Sequence, residues 1–231
     1  MTPLESYSPI KMIRKLSLHP DFQKWNTVVL PEKEGPDSFY RSSFESWYTV
    51  YQREQTKEGT FIGKDFIVSR ARMELADELR KPVDETILKS GRFQGNSQIN
   101  FRKDKQLVLY DLLSDGMLAE YSKTHPEYSI ESLMDGLRKG YAPVYGIFEL
   151  FSETFAVDIY IIDDESKDVY VTGYERFFQK GRSGYVLYLT RREGLFDHYD
   201  LVGVQGKMIE TYFLASNPFI VFLKERIGSR K

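Results

Sequence analysis

The spacing of apolar residues changes once along this chain, near Phe155, and that change sets the class of fold open to it. Upstream, apolar side chains recur every three to four residues. Tyr40, Phe44, Trp47 and Tyr51 make one helical stripe from Ser38 to about Gln55, and Phe66, Met73, Ala76 and Leu79 make another over 64–80, which Pro82 ends. Leu107, Leu112, Leu113 and Met117 predict a helix over 104–122. Ile130, Leu133, Met134 and Leu137 predict one over 127–138, stopped by Gly140. Pro143 opens a fifth, with Ile147, Phe148, Phe151 and Phe155 as its stripe. Downstream the period is two. Val157, Ile159 and Ile161 alternate with their neighbours, Asp163-Asp164-Glu165-Ser166 reads as a turn, and strands are expected over Lys167–Tyr174, Gly184–Arg191 and Asp197–Val204. Phe219 to Leu223 is a last apolar run, a strand or a short helix. Helices first and strands later predict an α+β fold, a sheet packed on helices.

The rest of the chain adds no second unit. Residues 1–34 read as an irregular arm, punctuated by Pro20 and Pro31, with a short helix near Ile10 to Leu18. Residues 84–103 are polar and read as a loop with short helical turns. No linker and no internal repeat divides the 231 residues, so one domain is expected. Aromatic residues at 15% allow a large core. A net charge of -2 and a pI near 6.0 argue against a dedicated nucleic-acid binder. No apolar run approaches the roughly 20 residues that span a bilayer, and the first residues lack a secretory pattern.

Chemistry concentrates at two places. Ser38 sits where a helix begins, with Asp37 placed to cap it. About 160 residues later comes Asp197-His198-Tyr199-Asp200. A helix N-terminus gathers unpaired N–H groups and partial positive charge, which ionise a thiol and stabilise an oxyanion. On a strand, His198 and Asp200 share a face, so the carboxylate can orient the imidazole as a general base. His19 and His125 each precede a proline and read as surface turn residues. This is the layout of a papain-like thiol protease with serine at the nucleophile position. The chain has no cysteine. Either its lineage has lost the thiol, or a single catalytic cysteine has been exchanged for serine to trap an inactive form. Taken alone, Ser38 is equally an ordinary helix-capping serine, the Tyr40–Tyr51 stripe is core, and the 197–200 cluster is a candidate metal site of a hydrolase.

Three segments, in order, resemble one family. Asp37-Ser38-Phe39-Tyr40-Arg41 is similar to the Asp-Gly-Asn-Cys-Phe-Tyr-Arg signature of the ovarian-tumour (OTU) deubiquitinases, nearest their otubain-like branch. Tyr145-Gly146-Ile147-Phe148-Glu149-Leu150, then Val157-Asp158-Ile159-Tyr160-Ile161-Ile162, resembles the helix and strand that precede that family's catalytic strand. Tyr185-Val186-Leu187-Tyr188-Leu189, then His198-Tyr199-Asp200-Leu201, resembles its closing motifs. The resemblance implies a papain-like fold with helices on a small, mostly antiparallel sheet. It implies a single domain over 1–231: an arm over 1–24, the recognisable core over 25–204 and an extension over 205–231.

By the same resemblance Ser38 holds the nucleophile position, His198 is the general base and Asp200 orients it. Gly35, Pro36 and Asp37 fall in the oxyanion region. There the family's Asp and Gly are replaced by Gly35 and Pro36. The implied partners are ubiquitin, ubiquitin-like proteins and polyubiquitin chains, cut at an isopeptide bond without metal or cofactor, with no nucleic acid or membrane partner. The implied location is intracellular, cytoplasmic or nuclear, or host cytosol for a viral or bacterial member. An alcohol needs a stronger base and a better oxyanion hole than a thiol does, so the Ser38 form is expected to be inactive or very slow. Gly35 and Pro36 favour a second reading, a pseudoenzyme that grips ubiquitin as a binding or scaffolding module.

Overall fold

The structure is a computed structural model that describes residues 14–15, 22, 24–54, 63–79, 130–140, 145–166, 168–172, 181–190 and 197–228. Its elements are α+β, as the change of period predicts. The helices are α1 (Ser38–Trp47), α2 (Thr49–Arg53), α3 (Lys64–Glu78), α4 (Ile130–Lys139), α5 (Tyr145–Phe155) and α6 (Pro218–Gly228). The strands are β1 (Arg14–Lys15), β2 (Thr27–Leu30), β3 (Asp158–Asp163), β4 (Val169–Val171), β5 (Gly184–Thr190), β6 (His198–Gln205), β7 (Ile209–Glu210) and β8 (Tyr212–Phe213). They form one sheet in the order β1-β2-β6-β5-β3-β4, with β7 added to β6 and β8 to β5. Among the described residues only the β3–β5 pairing is parallel.

The sheet is covered on both faces. Ile159, Ile161, Leu187, Tyr199 and Leu201 join Phe39, Phe44, Phe148 and Phe151 in the core beneath the helices. The alternate residues Tyr160, Ile162, Val186 and Val202 pack with Phe22, Phe219 and Leu223 on the other side. Strand β3 is therefore buried on both faces, and its residues do not divide into an inner and an outer set. The C-terminal apolar run closes that second layer as helix α6.

Several expectations are corrected. Within the stretch expected to be helical near residues 10–18, Arg14 and Lys15 are a strand paired with Val28 and Val29. The helix from Ser38 is two helices, broken at Tyr48, whose backbone is extended. On α3, Phe66 and Met73 are 56% and 44% exposed, so they are not its buried face. That face is Val68, Ala71, Leu75, Ala76 and Leu79, where two small alanines allow close packing. Asp37 stands at the N-cap of α1 but makes no side-chain cap; its backbone is already helical (φ -90, ψ 0) and its carboxylate turns to Arg72. The loop over 84–103, the helix over 104–122, Pro143, His19 and His125 lie outside the described residues. Among the described residues no helix is long and apolar enough to cross a membrane.

Candidate functional site

Strand β2 stops early beside β6, and the candidate site is built in the gap. The last pair is Leu30 with Leu201, and the same register would next set Pro31 against Asp200 and then Glu32 against Tyr199. Pro31 leads the chain away instead. Two parts of the molecule then satisfy the β6 backbone and side chains left over. The Glu32 N–H donates to Asp200 Oδ1 at 2.8 Å. The Tyr199 N–H donates to Ser38 Oγ at 3.2 Å, and Ser42 Oγ donates to the Tyr199 carbonyl at 2.9 Å. Tyr199 N belongs to the peptide that joins it to His198. Residues 38 and 198, 160 apart in sequence, are thus one hydrogen bond and one peptide from each other.

His198 and Asp200 form the pair expected of them. Nε2 of His198 lies 2.9 Å from Asp200 Oδ1, with the two side chains only 7% and 14% exposed. A carboxylate only accepts, so Nε2 carries the proton that faces Asp200, and in the neutral ring Nδ1 keeps the lone pair. Nδ1 is buried and has no hydrogen-bond partner. The carboxylate is itself held by the Glu32 amide, which fixes carboxylate and imidazole together.

The Ser38 side is organised differently. Gly35 has φ +140, a conformation side chains disfavour, and its carbonyl accepts the Ser38 N–H at 3.1 Å. With Pro36 next and Asp37 at φ -90, ψ 0, residues 35–38 form a type I turn that opens α1. The turn thereby engages the Ser38 amide, one of the N–H groups that open α1. The Ser38 side chain is fully buried. Its oxygen already serves as an acceptor for Tyr199, so contact with any external molecule requires the surrounding residues to move.

An ionic group supports the turn from behind. Arg72 of α3 meets Asp37 at 3.0 Å. Gly140, at φ +86, lies against the Arg72 guanidinium, and a Cβ there would collide with Nη1. Burial lifts the Asp37 carboxyl above the usual range, while Arg72 and Arg41 pull it back down. Beside it the Tyr40 hydroxyl is buried without a hydrogen-bond partner, and burial pushes its ionisation upward.

Sequence reasoning missed three contributors. Ser42 is one turn beyond Ser38, and its spacing was visible. Arg72 lies on a helix whose facing was misjudged. The Glu32 amide is backbone and leaves no side-chain signal. Asp197 is half-buried beside His198. Among the described residues, no group of three or more His, Cys, Asp or Glu is placed to hold a metal ion.

No protein-family model matches this chain, and no curated protein matches it in sequence. Among solved structures, it is similar to an ovarian-tumour (OTU) domain in complex with ubiquitin, at 11% identity and a TM-score of 0.45, over 87% of this chain and 83% of that one.

Proposed function

We propose that this chain is an OTU-like domain that binds the C-terminal tail of ubiquitin or a ubiquitin-like protein, built on a thiol-hydrolase design and silent in its Ser38 form. The observation that carries this is the His198–Asp200 pair, locked through Nε2, with Nδ1 unpartnered, and tied by the Tyr199 amide to the residue at the start of α1. The ordered motifs around Ser38, Ile147 and His198 supply the substrate class. With a thiol at position 38, Nδ1 of His198 takes the thiol proton, and Asp200 holds the tautomer that makes this possible. The thiolate then attacks the carbonyl of the isopeptide bond. The amine leaves with the proton from His198, and water releases the acyl group. An alcohol at the same place lacks the acidity for this exchange.

A second reading, a pseudoenzyme that retains ubiquitin binding, is favoured by one observation: both the amide and the hydroxyl of Ser38 are engaged within the protein.

One experiment separates the two. The Ser38→Cys chain is challenged with ubiquitin carrying a C-terminal electrophile, alongside direct binding of ubiquitin to the unaltered chain. Covalent capture that disappears on adding His198→Ala supports the hydrolase design. Binding without capture supports the pseudoenzyme. Neither binding nor capture defeats the ubiquitin reading.

A further inference from the structure

Four serines lie on α1, and they divide into two kinds. Ser43 Oγ donates back to the Phe39 carbonyl at 2.7 Å, and Ser46 Oγ to the Ser43 carbonyl at 2.8 Å, the usual local bonds of a helical serine. Ser38 and Ser42 do neither. Both reach across to one residue of the sheet, accepting from its N–H and donating to its carbonyl. Both are buried, at 0% and 1% exposure. The residue they bracket, Tyr199, has its ring set edge-on against Phe39 and Phe148 at 5.6 and 5.7 Å. Its amide, carbonyl and ring are therefore all fixed by the helical layer.

Tyr199 stands between His198 and Asp200. Fixing its two peptide groups fixes the backbone torsions from which the imidazole and the carboxylate project. From this bracket we infer that Ser42 is a positioning residue for the His198–Asp200 pair. Its hydroxyl replaces the ladder bond that β2 no longer makes beyond Leu30, and it does so at the one β6 residue whose orientation sets both functional side chains. Ser42 touches no reacting atom in this account. It acts through the Tyr199 carbonyl, and its importance rests on the reading of His198 as the base.

The test uses the full chain with Ser38 in place and needs no ubiquitin, so failed ubiquitin binding leaves it intact and its failure leaves ubiquitin binding untouched. The tautomer of His198 is read from the ring nitrogens by NMR on histidine-labelled protein, and backbone exchange is followed at Tyr199, Glu32 and Val202. The unaltered chain should show the neutral tautomer protonated at Nε2. Ser42→Ala should mix the two tautomers and raise Tyr199 and Glu32 exchange about tenfold while Val202 stays protected, and Ser42→Thr should restore the single tautomer. An unchanged tautomer in Ser42→Ala overturns the inference, whatever the exchange rates do. If Ser42→Ala also loses protection at Val202, the comparison passes to Ser42→Thr against Ser42→Val, which share a shape and differ by the hydroxyl. A single tautomer in the first alone supports the inference, and the same tautomer in both overturns it.

Discussion

The two halves of the site differ in what their polar groups are free to do. On β6, the His198–Asp200 pair is braced by the Glu32 amide, yet it leaves one buried ring nitrogen uncommitted. On α1, Ser38 commits its amide to Gly35 and its hydroxyl oxygen to Tyr199. The β6 half keeps a buried ring nitrogen without a hydrogen-bond partner, while the polar atoms of Ser38 on α1 hold the fold.

Four substitutions probe this contrast, and each is read by urea unfolding. Asp200→Ala should have the largest effect, about 3 kcal/mol, because it leaves both the Glu32 N–H and the His198 Nε2–H without their acceptor. Asp200→Asn keeps an acceptor oxygen and should cost about 1 kcal/mol. Equal costs would mean that charge, not hydrogen bonding, holds the β6 half. Gly140→Ala should cost about 2 kcal/mol, since it combines a left-handed backbone with a collision against Arg72, which is pinned to Asp37. Ser38→Ala removes the hydroxyl that accepts from the Tyr199 N–H and should cost about 1 kcal/mol, which would show the hydroxyl acting as structure. A Ser38→Ala chain as stable as its parent would remove the contrast.

The smallest effect is one of pH. Asp37 has a folded ionisation raised above the ordinary value of 3.8, chiefly by burial. The folded state then holds that proton more tightly than the unfolded state, so the contribution of Asp37 to stability falls as pH rises from about 3.8 through the raised folded value. Asp37→Asn should therefore compare more favourably with the parent at pH 7 than at pH 4. A variant that compares worse at pH 7 would show that the Arg72 pairing outweighs burial.

The sequence disclosed the parts that depend on side-chain pattern. The change of period at Phe155 marked where helices give way to strands. The His198–Asp200 spacing placed both groups on one strand face, where they meet. What stayed hidden depends on relations between distant backbones. The Glu32 amide reaches Asp200 only because β2 ends at Leu30, and no residue type announces that. Asp37 reads as a cap, but a helical backbone and Arg72 redirect it. Phe66 and Met73 read as core because they are large and apolar, yet α3 packs through alanines. Strand β3 reads as alternating, while the second apolar layer, which includes α6, buries its other face.

A His198–Asp200 pair that faces position 38 would ionise a thiol placed there. Because the chain contains no cysteine, thiolate absorbance in the Ser38→Cys protein reports that position alone. Thiol ionisation well below the usual value of about 8.5 is expected, moving back to or above it when His198→Ala is added. The same titration in both proteins would contradict it.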